Sequence, residues 1–497
     1  MVKKQVAVVG AGIGGLAAAM RLAASGEFDV TVYEKNEIVG GRCGRRVVDG
    51  YSFDTGPSLL LMTDVYRDLF AACGEDFDAL IPLVKMEPNY GVHFADGTRL
   101  EMSSDLSKMV ANLEEIEPGV CSGYLRFLED SGRKYQIGRK KFVEKDFRKG
   151  SDFFTGENLS HLLELNALDK LYNHVSRYFK DERLRQAFSM QSMYLGISPY
   201  EAPAVYTLLA YTELVEDGLY FPKGGLYSLP TAMLQTAKKM GVRIETNSSV
   251  SKINAVNGRI QALTVNGQTI AADIVVSNAD LPYTYTDLLD ERPAKYEECK
   301  WKKQQFTSSA FMLYLGVTKQ YPKLIHHNFF LSKDYKRNFD EIFHARVAPT
   351  DPSLYINVPN RTDPTLAPEG CDNIFVLVPI PHLTDQMTWT DTEIERFKER
   401  IYNKLEALGL DDLHGHIAVE QVVTPHDWKS QYNLKYGAAF GLSHGILQVG
   451  YFRPQNKAPH VEGLYFVGAS TVPGTGVPLV CLGARIVVDR ILNDLRK

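Results

Sequence analysis

Read by its apolar and polar positions, the chain opens with a compact hydrophobic run at residues 5–9. A glycine turn follows, Gly10-Ala11-Gly12-Ile13-Gly14-Gly15, and then a helical stretch, Leu16-Ala17-Ala18-Ala19-Met20-Arg21-Leu22. A second apolar strand, Val30-Thr31-Val32-Tyr33, ends at Glu34. Between about 103 and 211 apolar residues recur at three- and four-residue spacing, as in 159–179 and 182–192, which predicts helices. Tyr220-Phe221-Pro222-Lys223-Gly224-Gly225 breaks that rhythm. A helix is then predicted over 226–240, with strands over 242–245, 258–265 and 269–276. Asn266-Gly267 joins the last two as a type I′ hairpin turn. Strand patterns resume at 306–317, 354–358 and 374–379, and a helix is predicted over 391–408. The chain closes with the strand Leu464-Tyr465-Phe466-Val467-Gly468-Ala469, a Pro/Gly loop, and a helix from about Pro478.

Composition bounds this picture without changing it. At 497 residues the chain is more than three times the roughly 150 residues of an average domain, so several units are expected. It is 44% hydrophobic and 23% charged, which excludes a disordered or fibrous chain. Lys plus Arg number 55 and Asp plus Glu 60, and a net charge of −5 does not recommend nucleic acid as a partner. Six scattered cysteines without a CxxC pair fit a reducing, cytoplasmic setting and argue against a disulfide or zinc framework. The uncharged stretch 463–484 is long enough to span a bilayer. Its five glycines and two prolines would leave backbone groups unpaired in lipid, so it is expected to be strand, loop and helix start. The apolar N-terminal segment runs directly into a folded unit and does not read as a signal peptide.

The chemistry lies in the glycines. Gly10, Gly12 and Gly15 stand at GxGxxG spacing between a strand and a helix. The first permits a tight turn, the second lets a pyrophosphate approach the backbone, and the third lets helix and strand pack closely. The helix N-terminus offers N–H groups to phosphate, and Glu34 suits a ribose 2′-OH while repelling a 2′-phosphate. An NAD dehydrogenase needs no second glycine pair directly after the acidic strand. Here Gly40-Gly41-Arg42 and Tyr51-Ser52-Phe53-Asp54-Thr55-Gly56-Pro57 follow, as an extended bound flavin with a phosphate-facing cation would require. Arg42 fits that cation; Arg45 is either a spare or, with Arg46, part of a solvated turn. Gly468 and the Pro473-Gly474-Thr475-Gly476-Val477-Pro478 loop read as a second cofactor-contacting turn.

These motifs, together with Leu184-Arg185-Gln186-Ala187-Phe188-Ser189 and Ser277-Asn278-Ala279-Asp280, resemble the bacterial and fungal type of phytoene desaturase, within the FAD-containing amine-oxidase-like flavoproteins. The similarity extends over nearly the whole chain. It implies an α/β fold: a discontinuous Rossmann-like FAD-binding domain (1–80, 220–290, 420–497), an inserted substrate-binding sheet (81–102, 291–419) and a helical, membrane-facing lobe (103–219). The FAD-contacting set expected on this reading is Gly10, Gly12, Ile13, Gly14, Gly15, Glu34, Lys35, Gly41, Arg42, Gly56, Pro57, Val250, Gly468, Pro473, Gly476 and Val477. One departure stands out: the family usually carries histidine or another polar residue where this chain has Val472.

The implied activity is desaturation of phytoene or a similar acyclic polyene by hydride transfer to FAD, with electrons leaving to a quinone or oxygen. No side chain accepts two electrons, so the cofactor must. Carotenoid oxidase, carotene isomerase and retinol saturase are alternatives on the same scaffold, as is a flavin amine oxidase. A lipid escort protein is the rival of another class. No acid or base stands out; Asp54 and Arg185 are the candidates, Asp54 doubling as a turn organiser and Arg185 as an anchor of the helical lobe. His326-His327 and His414-Gly415-His416 lack ligand partners at metal-binding spacing, so no metal is expected. A polyene dissolves in bilayers, so an enzyme without a span is expected to dock peripherally, through an apolar patch on the helical lobe.

Overall fold

The computed structural model describes residues 3–290, 298–385 and 387–496. The expected domain boundary at 290/291 borders residues 291–297, which lie outside the described residues. The strand Lys4–Val9 sits at the centre of a five-stranded, all-parallel sheet. Its order is Leu464–Phe466, Ile274–Ser277, Lys4–Val9, Phe28–Tyr33, Arg243–Glu245. Strands drawn from both ends and the middle of the chain thus lie side by side. Helices Ile13–Ala24, Ser228–Lys239 and Val477–Leu495 share a core with it, built from Val6, Val8, Leu16, Met20, Val32, Val276, Met233 and Val487. Apolar burial on both faces is what a parallel sheet requires.

A second, mixed sheet has seven strands, in the order Ile417–Val423, Ser309–Val317, Asp372–Ile380, Leu354–Asn357, His327–Phe330, Tyr90–His93, Arg99–Met102. Its two faces separate by the period of two. Phe311, Leu313, Val376 and Val378 pack with Phe397 and Ile401 of the helix Asp391–Ala407, whereas Ala310, Met312, Leu377 and Pro379 face a cavity. Helices joined by loops make up residues 106–216, including Leu106–Ile116, Cys121–Ile137 and Gly156–Glu164, with a 3₁₀ turn at Met190–Leu195 and a π-helical turn at Thr212–Glu216.

Two expected elements divide. The 159–179 pattern is two helices, Gly156–Glu164 and Leu171–Val175, separated by a turn with Asn166 at φ +49°. Its apolar residues are partly solvent-facing, so they do not require one continuous buried face. The 269–276 run is two strands in different sheets. Gln268–Ala271 pairs antiparallel within a three-stranded sheet, while Ile274–Ser277 joins the parallel one. Asp273 marks the crossing, its carboxylate accepting the Gln5 N–H at 2.8 Å. The strand Val250–Val256 had no clear signal because its burial does not alternate regularly.

Candidate active site

A single cavity of about 650 Å³ runs from the glycine turns to the inner face of the seven-stranded sheet and into the helical segment. At one end lies the Gly10–Gly15 turn. Gly10 takes φ +94°, open only to glycine at no cost, and its N–H donates to the Tyr33 carbonyl at 2.8 Å. Helix Ile13–Ala24 begins at Gly12 without a side-chain cap, leaving its first N–H groups for an anion. Glu34 is buried, and its carboxylate accepts the N–H groups of Ala11 (2.7 Å) and Asn36 (2.9 Å), locking the turn to the next strand.

All of the expected cofactor residues except Gly15 line this cavity. Gly15 lies behind it, where a Cβ would sit 2.1 Å from the Gly10 carbonyl oxygen. Arg42 is half-buried there, donates to the Ala439 carbonyl at 2.7 Å and feels the Asp280 carboxylate. Arg45 and Arg46 are elsewhere: Arg45 lies over the Tyr227 ring and Arg46 donates to Gln421, so neither serves as the spare phosphate cation. Lys35 reaches the Ser430 carbonyl (2.9 Å) and Asn433 (3.1 Å) at the cavity edge.

The two candidate catalytic residues are outside the cavity wall. Asp54 accepts the N–H groups of Leu226 (2.6 Å) and Tyr227 (3.0 Å), just before the helix Ser228–Lys239, and burial pushes its carboxyl up to about 6. It organises that turn. Arg185 donates to the Phe179 carbonyl at 2.9 Å and pairs with Glu182, anchoring the lobe. The paired histidines also have local roles. His327 Nδ1 lies 2.8 Å from the Tyr355 hydroxyl, while His414 and His416 pair with Glu406 and Asp412.

Sequence reasoning missed the residues that hold the C-terminal loop. Arg453 is buried and donates to five carbonyls: Thr471 (3.0 Å), Ser443 (3.0 Å), Gln448 (2.9 Å), Leu442 (3.2 Å) and Ala469. Asn456 donates to Val472 (2.8 Å) and Phe466 (3.1 Å). His444 supplies the same loop with an imidazole although position 472 is valine. Its Nε2 accepts the Thr475 N–H at 3.1 Å, and burial holds the ring neutral, far below its ordinary pKa. The proton therefore sits on Nδ1, which is buried and has no partner among the described residues. None of these three stands in a local motif; only their position against the loop reveals them.

An uncapped helix start, the Glu34 carboxylate, a half-buried arginine and an unpaired imidazole N–H along one elongated cavity fit FAD. Glu34 suits its adenosine ribose, Gly12 and Arg42 its pyrophosphate, and His444 offers a donor to the remainder. Beyond them the cavity is apolar, walled by Met190, Met193, Leu195, Leu208, Leu209 and Phe329. It also reaches Leu162, Leu165, Ile446 and Val449. Exposed next to these are Phe154, Leu159, Leu163 (76%), Leu168 (85%), Leu447 (73%) and Phe452. Phe154 and Phe452 touch, with ring centroids 6.1 Å apart, so the apolar rim has a C-terminal half that was not expected. Among the described residues no helix is long and apolar enough to cross a membrane.

The fold and the glycine-lined cavity define a flavoenzyme, and the flavin-containing amine oxidoreductase model matches residues 13–492; the chain belongs to that family. Within the family it is an FAD-dependent oxidoreductase. It is 43% identical to a zeta-carotene-forming phytoene desaturase of Myxococcus xanthus, over 99% of this chain and 94% of that protein. It is 37% identical to a 4,4′-diapophytoene desaturase of Staphylococcus haemolyticus, over 99% of both. Solved structures share the fold: an oxidoreductase from Methanosarcina mazei at 19% identity (TM-score 0.65, covering 98% of this chain and 100% of that one), and a putrescine oxidase at 15% (TM-score 0.63, covering 100% of both).

Proposed function

We propose that the protein is a carotenoid desaturase that introduces double bonds into phytoene or a related acyclic polyene. The observation carrying this reading is the cavity: one continuous space joins a dinucleotide cradle to a long apolar channel that opens at an apolar rim. The full-length identity to two desaturases of acyclic carotenoids supports it. Bound FAD supplies the two-electron acceptor that the side chains lack. The glycine turns and Arg42 hold its phosphates. The methionines and leucines of the channel hold an apolar rod in line and keep water from it. A soluble amine would leave such a channel unfilled, and an escort protein would have no use for the intact cradle.

The chemistry is tested by co-expression in a host that accumulates phytoene, with pigments separated by chromatography. Phytoene is expected to be consumed and more conjugated products to form. Unchanged phytoene beside a folded, flavin-loaded protein would overturn the reading. A parallel host accumulating diapophytoene separates the C40 substrate from the C30 one, since both types occur among the relatives.

We further propose that the rim of Leu163, Leu168 and Leu447 seats on a bilayer, from which the substrate enters and a quinone accepts the electrons, with oxygen as the alternative acceptor. Exposed apolar residues clustered at a cavity mouth suit such docking. The wild-type protein is expected to float with anionic liposomes. The triple variant Leu163→Asp, Leu168→Asp, Leu447→Asp is expected to stay in the dense fraction while keeping its flavin absorbance. Equal flotation of the two proteins would refute the assignment.

A further inference from the structure

One carboxyl group stands behind the apolar channel with no task in the scheme so far. Glu213 is fully buried in the π-helical turn Thr212–Glu216, an irregularity that a regular helix would not retain without compensation. Its Oε1 accepts from the Tyr90 hydroxyl and from Gln191 Nε2 (3.1 Å), and its Oε2 accepts from the Tyr194 hydroxyl (3.2 Å). Tyr90 comes from the strand Tyr90–His93; Gln191 and Tyr194 come from the 3₁₀ turn Met190–Leu195. Among the described residues no cation is bonded to Glu213. Three converging donors are the complement of an ionised carboxylate, which only accepts. Tyr194 alone of these groups reaches the cavity, beside Met193 and near Phe329, at a ring-centroid separation of 6.3 Å. Tyr355, the other hydroxyl near Tyr194, is engaged by Ser58 at 2.6 Å.

This rests on the desaturase reading, in which the substrate must lose a proton as well as a hydride, inside a channel that excludes water. We propose that Tyr194 and Glu213 form the proton acceptor of the reaction, with Tyr194 the catalytic residue and Glu213 acting through it. The substrate gives up one hydrogen with its bonding pair to the flavin. The neighbouring carbon's C–H proton passes to the Tyr194 oxygen as the Tyr194 proton moves to Glu213 Oε2. The electron pair of that second C–H bond becomes the new C=C bond, so Tyr194 is unchanged and Glu213 is protonated. Tyr90 and Gln191 are positioning residues that hold the carboxylate toward Tyr194.

Burial pushes the Glu213 carboxyl up to about 7, opposed by its three hydrogen bonds. The acceptor is the ionised form, so flavin reduction should speed up as pH rises through about 7. The groups facing Glu213 and Tyr194 are Tyr90, Gln191 and Tyr355, none of which is charged near that pH. The test is anaerobic single-turnover reduction of the flavin-loaded protein by phytoene in liposomes, followed by flavin absorbance between pH 5.5 and 8.5, a range of about 1.5 units either side of 7. Glu213→Gln and Tyr194→Phe are each expected to slow reduction by about 100-fold or more, and the double variant to be no slower than the worse single one. The rise near pH 7 should vanish in Glu213→Gln and return in Glu213→Asp. Rates within about twofold of wild type, or a slow variant that keeps the pH rise, would overturn the proposal. If wild-type flavin is not reduced by phytoene at any pH, the substrate reading fails instead. Visible flavin absorbance confirms that each variant is folded before its rate is read.

Discussion

Gly15→Ala is expected to yield a protein that purifies colourless and binds added FAD at least about 100-fold more weakly than wild type, a loss near 2.7 kcal/mol. The cause is steric rather than chemical. Gly15 touches no part of the cavity, yet its added methyl would meet the Gly10 carbonyl oxygen at 2.1 Å, with the Asn278 side chain at 3.2 Å on the other side. The carbonyl belongs to a turn held by the Gly10 N–H to Tyr33 and by the Ala11 N–H to Glu34, so relief requires the helix Ile13–Ala24 to move off its strand. That movement carries Gly12 and the uncapped N–H groups away from the position a pyrophosphate needs. Flavin fluorescence titration measures the loss, and an alanine variant that retains stoichiometric flavin would show that the approach is not required.

Arg453→Met is expected to have the second large effect, this time on stability. The arginine is buried, and although burial lowers its pKa to about 10, it remains charged at neutral pH. Its compensation is five backbone carbonyls drawn from two segments, 442–448 and 469–471. Methionine fills much of the volume but leaves those acceptors without donors, at about 1–3 kcal/mol for each that water cannot reach. A net loss of about 3–5 kcal/mol is therefore expected. The thermal midpoint should fall by roughly 3–5 °C, with flavin released earlier in the transition. Arg453→Lys should be intermediate, since an ammonium has three donors and no planar fork. A midpoint within about 1 °C of wild type for the methionine variant would contradict the clamp.

Both effects concern residues that the reaction never touches, and they differ in how they can be found. Gly15 is legible because its neighbours in sequence form a strand, a turn and a helix, and the spacing of three glycines carries the geometry. Arg453 sits in Gly450-Tyr451-Phe452-Arg453-Pro454, a stretch without periodicity or motif. The same contrast separates Glu34, announced by the end of an apolar strand, from Glu213, which lies in a helical stretch like any surface glutamate. Asp54 was singled out for its motif, and the structure turns it toward the N–H groups of Leu226 and Tyr227 rather than toward the cavity. Arg45, adjacent to the cofactor motif in sequence, faces away from it.

The amino-acid pattern by itself determined the glycine turns, the acid after the second strand, most strands and helices, and through them the α/β architecture and the flavin. These are properties of short segments, where side-chain period and glycine spacing act within a few residues of one another. The tertiary structure alone decided which strand joins which sheet, the division of 269–276 between two of them, and the two-sided rim at the cavity mouth. It alone brought Arg453 to its five carbonyls and Glu213 to Tyr90 and Tyr194. Those arrangements depend on groups outside any regular period being buried together, from 5 positions apart for Arg453 and Gln448 to 123 for Tyr90 and Glu213. In a low-dielectric interior a polar atom must find its partner wherever the chain has folded, and no local pattern records where that will be.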